Sequence, residues 1–264
     1  MVLGAAAVGV AAWVYLQIAQ RTAKEGGAVP SEKFVRADLI MSLMVAAFFA
    51  FASAASLLST AKEAQPIQID QVLLGSLNEL TIVILVAAFF YVRGADLVAL
   101  LGLRRIPVFR AAGLGLLLCL AAQPLVFLTN AVTARFLKGS AEEQELVKLF
   151  RDEAHHGHHA GMTKIFVAGV ILAPLIEEFL FRGCFYGVFK KYLGSVPSAI
   201  VSAVMFAAFH TNLASFPGLF VLAICFTLAY ERYGSLLVPM GMHAVFNFSS
   251  LALIYAQAMD LIHN

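Results

Sequence analysis

Apolar runs of bilayer-crossing length alternate with short polar links along almost the whole chain. Eight such runs stand out, at residues 2–19, 38–60, 71–92, 108–135, 162–190, 196–212, 215–231 and 235–258. A helix needs roughly 20 residues to cross ~30 Å of hydrocarbon. In hydrocarbon only helices or closed barrels satisfy the backbone, and none of these runs shows the polar/apolar alternation of a barrel strand. The pattern predicts an all-α, polytopic membrane helix bundle with about eight transmembrane helices. The polar positions gather in the links. Residues 20–37 form a basic loop, 93–110 a short apolar turn with the basic cluster LGLRRIPVFR, and 138–161 the longest polar stretch. Leu146, Val147, Leu149 and Phe150 give that stretch an apolar side, which predicts an amphipathic helix lying on the membrane surface. The first run lacks a preceding basic segment and a clear small-residue cleavage site, so it is expected to be retained as a helix. Lys and Arg favour the odd-numbered loops, which predicts both termini outside. No repeat or second domain is visible. Residues 1–264 read as a single membrane domain, with N-terminal helices over about 1–93 and a core carrying the candidate chemistry over about 95–258.

Composition sharpens this picture. Of 264 residues, 61% are hydrophobic and only 13% charged, against about 25% charged in ordinary soluble domains. The net charge of +2 is small and scattered, which excludes a nucleic-acid partner. Cys119, Cys184 and Cys225 all fall in apolar segments, with no metal or redox spacing, and read as core residues.

The chemistry lies in polar groups inside apolar helices. Glu177, Glu178 and Arg182 sit mid-way along FVAGVILAPLIEEFLFRGCFYGVF, residues 166–189. Three unpaired charges there would cost on the order of 8–10 kcal/mol. Glu178 and Arg182 are four apart with the acid first, the favourable order for an ion pair. Glu177 is turned about 100° away, so one acid can be paired while the other stays free to react. Pro174 is expected to loosen the turn before them, and Gly183 with Gly187 offers a small face for close helix approach. The bland alternative is a purely structural ion-pair knot, which leaves Glu177 unexplained.

Two further pairs share helical spacing: Phe206 with His210, and His243 with Asn247. His210 alone reads first as a hydrogen-bonded packing residue, and His243 with Asn247 alone reads equally as a functional pair or an interhelical polar clasp. Together, a carboxylate, two histidines and an amide on three helices supply what hydrolysis requires. A buried carboxyl serves as general base, one histidine orients the water, and a histidine and an amide donate to the oxyanion. Glu177, His210 and His243 are also a catalytic zinc set, and the residues alone do not choose between the two. His155, His156, His158 and His159 form a tract that reads first as a solvated loop and second as a metal-binding one. Glu79, beside Asn78 in the third run, reads as a snorkelling or packing residue, with an assisting role near the cavity as the alternative. Gln123 and Asn130 are assigned to packing.

The strings EEFLFR (177–182), FAAFH (206–210) and HAVFN (243–247) resemble the three signature motifs of the CPBP family, also called the ABI or CAAX-protease family, which includes the Rce1-like endopeptidases. LGLRR (101–105) and YERYGSLLVP (230–239) resemble family strings as well. The resemblance implies an eight-helix intramembrane endopeptidase acting on a membrane-associated protein or peptide. By motif position Glu177 would be the base and His210 would hold the water. His243 and Asn247 would form the oxyanion hole, with Glu178 and Arg182 in support. The family has been described both as metalloproteases and as metal-independent glutamic proteases. The metal-independent form, with no cofactor, is expected here, because Asn247 suits an oxyanion donor better than a zinc ligand; zinc on Glu177, His210 and His243 is the alternative. The expected setting is a bacterial plasma membrane, where prenylated substrates are not expected. The strings HExxH, GxGD and GxSG of other intramembrane proteases are absent. Two rival functions are a non-catalytic bacteriocin-immunity or peptide-binding protein on the same scaffold, and a proton-coupled transporter. The clustering of polar groups on the last four helices suggests a chamber more than a path across the membrane.

Overall fold

The computed structural model describes residues 2–59, 68–137 and 145–261, with side chains over 4–55, 68–137 and 146–261. Residues 138–144, the start of the long polar stretch, lie outside the described residues. Every regular element among the described residues is helical. The apolar runs become α1 (Val2–Glu25), α2 (Arg36–Ser59), α3 (Ile69–Val92) and, after the single turn α4 (Leu97–Leu100), α5 (Val108–Phe136). The polar stretch yields α6 (Glu145–His155). One continuous helical run then extends from His159 to Leu193: α7 (His159–Phe166), a π-helical segment Val167–Leu172, α8 (Ala173–Glu178), a second π-helical segment Phe179–Tyr186, and α9 (Gly187–Leu193). The bundle closes with α10 (Ser195–Phe209), α11 (Phe216–Tyr233) and α12 (Leu237–Ala258). Four helices among the described residues are long and apolar enough to cross a bilayer: Arg36–Ala55, Ile69–Val92, Val108–Phe136 and Leu237–Ala258. The fifth expected span is the interrupted run, and the sixth and seventh are the shorter α10 and α11. The molecule is a helical membrane bundle.

The interrupted run is the axis of the fold. From Glu178 to Phe189 every residue is buried, so this stretch meets protein on all sides. The second layer is α5, α11 and α12. Backbones of α5 and α12 approach closely at Gly115 and Gly241, where a Cβ on Gly115 would stand 2.8 Å from the Gly241 carbonyl carbon. Small residues permit such crossings in membranes, where lipid offers no hydrophobic drive to helix pairing. Polar groups add to the seam, with Gln123 donating to Ser249 Oγ at 3.0 Å and Asn130 lying over Gly218. The first helix packs on α5 and α11, and Tyr15 donates to the Leu118 carbonyl at 2.7 Å.

The strings LGLRR (101–105) and YERYGSLLVP (230–239) in the links dock on each other. Leu101 O accepts from Leu236 N at 3.0 Å. Gly102 and Gly234, both at positive φ (64° and 63°), meet backbone to backbone, which no side chain would allow. The loop after α1 is clasped from the same end. Lys190 donates to Val29 O at 2.9 Å and to Glu231 at 2.5 Å, and Ala28 N donates to Glu231 O at 2.8 Å. Tyr186 also donates to Glu231.

Two expectations need correction. The apolar side of α6 faces protein, since Leu146, Val147, Leu149 and Phe150 pack with Ile165, Leu251 and Ile254. An apolar stripe looks the same in sequence whether lipid or helix covers it. The Gly183–Gly187 face receives side chains, Leu101 and Leu236 at Gly183 and the Phe34 ring at Gly187, rather than another helix backbone.

Candidate active site

Glu178 and Arg182 form the ion pair that their spacing predicts. Both are fully buried, and the guanidinium donates to Glu178 Oε1 at 2.9 Å. Arg182 donates a second time to the Ala223 carbonyl of α11 at 3.1 Å. Its charge lies 4.6 Å from the Phe206 ring centre and 5.1 Å from that of Phe226, an aromatic box for a desolvated cation. His243, on α12, places its ring 5.3 Å from Phe226 and 5.8 Å from Phe206. Its Nδ1 donates to Glu178 Oε1 at 3.0 Å. One carboxylate oxygen thus anchors an arginine from its own helix and a histidine from another.

Glu177 turns the other way, toward the two histidines. Its Oε2 stands 4.0 Å from His210 Nε2 and 4.0 Å from His243 Nε2. That oxygen is buried and accepts no hydrogen bond within the chain. His210 ends α10, and its Nδ1 donates to the Phe206 carbonyl at 2.8 Å. A carbonyl only accepts, so the proton of a neutral His210 is on Nδ1 and its Nε2 lone pair faces Glu177. Thr211, next in the chain, has φ 48°. A β-branched residue in the left-handed region costs of order 1–3 kcal/mol, and this strained turn fixes where His210 ends the helix.

Asn247 is one turn beyond His243, and its Nδ2 donates to the Gly169 carbonyl at 2.7 Å. The backbone explains this bond. In the π segment each N–H reaches five residues back, as Ala173 N does to Ala168 O. The next donor in that register is residue 174, a proline without N–H. Gly169 O is therefore left over, and Asn247 supplies the missing donor. Pro174 loosens the helix as expected, and α12 repairs it.

Glu177 and His210 open onto a cavity of about 440 Å³. Its far walls are Phe48, Phe49, Ala52 and Ser53 of α2 and Asn78, Glu79 and Ile82 of α3, with Leu180, Phe181, Phe209 and Thr211 on the near side. His243 lies behind Glu177 and, with Asn247, does not line it. Among the described residues α2 and α3 do not pack along each other; α2 leans on α9 and α10, and α3 on α7, α8 and the first π segment. The cavity occupies the gap between these two legs. The phenylalanines of α2 carry no sequence signal in a chain with 22 of them. Glu79 did carry one, an acid mid-way along an apolar run.

The three candidate metal ligands do not close around an ion as they stand. Zinc ligands at about 2.0–2.1 Å in a tetrahedron lie about 3.3 Å apart, whereas each Nε2 is 4.0 Å from Glu177 Oε2. Among the described residues no three His, Cys, Asp or Glu side chains are placed to hold a metal. The histidine tract joins α6 to α7: the rings of His156 and His158 stack at 5.5 Å, and His158 Nδ1 lies 3.4 Å from Glu153.

Residues 160–249 match the family described as Type II CAAX prenyl endopeptidase Rce1-like. All three motifs fall within this stretch, which is similar to that family over about a third of the chain. The chain is 34% identical over 117 residues to an uncharacterized 24.3 kDa protein of Escherichia coli, covering 41% of this chain and 52% of that protein. It is 35% identical over 83 residues to the UPF0177 protein YaiF of Lactococcus lactis, covering 31% and 37% respectively. The chain thus spans about half or less of the length of the curated relatives it matches. No solved structure matches it.

Proposed function

We propose that the chain is an intramembrane endopeptidase that hydrolyses a peptide bond of a membrane-associated protein or peptide with Glu177 as general base. The observation that carries this reading is the convergence of two histidine Nε2 atoms, each at 4.0 Å, on one unpartnered oxygen of Glu177 beside the cavity. A water molecule spans such gaps. His210 Nε2 accepts one of its protons in a hydrogen bond and Glu177 takes the other as the water oxygen attacks the carbonyl carbon. The proton then passes from Glu177 to the amide nitrogen, the C–N bond breaks, and acid and amine leave. Oxyanion donors are His243 Nε2 and the second amide hydrogen of Asn247, which lie behind Glu177 and which the scissile carbonyl reaches by passing Glu177 from the cavity. This role requires His243 to carry both protons, because Nδ1–H is already given to Glu178; Glu178 is placed to hold that imidazolium. The reaction is proposed to run without a metal, on the ligand separations above. A bacterial plasma membrane is the proposed setting.

The test is purified protein in detergent with a farnesylated CaaX peptide and a panel of unmodified membrane peptides, beside Glu177→Gln, with and without a strong chelator. Cleavage that disappears in the variant and survives chelation is expected. Loss on chelation that zinc restores would replace the metal-free reading with a metallo-site, and full proteolysis by Glu177→Gln would end the assignment of the base.

A further inference from the structure

The acidic side chains embedded in this bundle each face a basic side chain within the chain, with one exception among the described residues. Asp38, fully buried on α2, pairs with Arg93 at 2.5 Å. Glu178 pairs with Arg182 and His243, and Glu231 with Lys190. Glu177 faces two histidines. Glu79 has neither a hydrogen bond nor an ion pair among the described residues. Yet it lies near the middle of α3, a helix apolar and long enough to cross the membrane. An acid there costs roughly 2.5–3.5 kcal/mol on insertion scales, and such residues face cavities and find partners. Glu79 faces the cavity of Glu177 and His210.

The lining chemistry says what the missing partner is. Among the described residues Glu79 and Glu177 are the carboxyls of this cavity, and neither Lys nor Arg lines it. Phe48, Phe49, Phe181 and Phe209 form much of its wall. Aromatic faces attract cations, and apolar walls accept the long hydrocarbon stem of lysine or arginine while the head reaches an acid. A peptide whose free terminal carboxylate entered the same space would meet like charge with no cation to offset it.

We propose that Glu79 is a specificity-determining residue that accepts the cationic side chain of a lysine or arginine in the peptide bound between α2 and α3. The substrate class is then an apolar segment carrying a basic residue near the scissile bond. This rests on the endopeptidase reading of the cavity.

The test uses the full chain in nanodiscs and fluorescent apolar peptides bearing one lysine, or norleucine at the same place, scanned along the peptide. Equilibrium binding and cleavage are both measured. At one register the lysine peptide is expected to bind about tenfold more tightly or better, the factor a charge-assisted hydrogen bond gives. Glu79→Gln brings the ratio near one. Glu79→Asp keeps part of it, and Glu79→Lys shifts the preference to a glutamate peptide. Equal binding of both series at every register overturns the proposal, as does binding of neither, or a lysine preference that survives Glu79→Gln. Preference in binding with no cleavage upholds Glu79 and removes the endopeptidase reading; cleavage with no preference does the reverse.

Discussion

Glu177 and Glu178 are neighbours in sequence with opposite surroundings. Glu178 is enclosed by Arg182 and His243, and breaking a buried pair by removing one partner leaves an uncompensated charge. Glu178→Gln or Arg182→Met alone is expected to cost about 3–5 kcal/mol, read as a lowered unfolding midpoint in detergent. The double substitution is expected to cost less than the sum of the two, since neither charge is left behind. Glu177→Gln is expected to leave the midpoint unchanged or raised, because it removes an unpartnered buried oxygen, while proteolysis falls by at least about a thousandfold. This division was legible in the sequence, because a spacing of four pairs side chains and a spacing of one separates them on any helix. Which histidine nitrogens face Glu177 was not legible. For His210 that depends on a bond to the Phe206 carbonyl one turn back on its own helix, and for His243 on Glu178, which it reaches only when α12 packs against the interrupted run.

At the scale of elements, the bond between Asn247 and Gly169 couples α12 to the π segment before α8. Asn247→Ala leaves the Gly169 carbonyl without a donor and is expected to cost about 1–3 kcal/mol. Restoring an N–H with Pro174→Ala is expected to recover part of that loss in the Asn247→Ala background and to do little in the wild type. A double-mutant cycle on unfolding midpoints measures the coupling, and strict additivity would remove the link. The sequence showed a proline that loosens a turn and an asparagine one turn after a histidine. It could not show that one compensates the other, since the two are brought together only by packing. The same limit explains α6, whose apolar stripe reads as lipid-facing and meets α7 and α12 instead.

At the scale of the molecule, eight apolar runs were enough to indicate a helical membrane bundle, while the gap between α2 and α3 left little mark in the sequence beyond Glu79. Absent packing leaves no pattern in the sequence, because a lipid-facing and a cavity-facing Phe are the same residue. Ala52 lines the gap on α2. Ala52→Trp is expected to fill it and reduce peptide cleavage tenfold or more while the unfolding midpoint changes by little; unchanged cleavage would place the substrate elsewhere. Leu43, Met44 and Phe51 on α2 and Leu74, Ile84 and Leu85 on α3 are exposed, so the two legs present hydrocarbon outward beside the gap. A substrate that enters between them diffuses in two dimensions before it reacts. Its effective concentration is then its mole fraction among the lipids, and turnover at fixed bulk peptide is expected to fall as inert lipid is added.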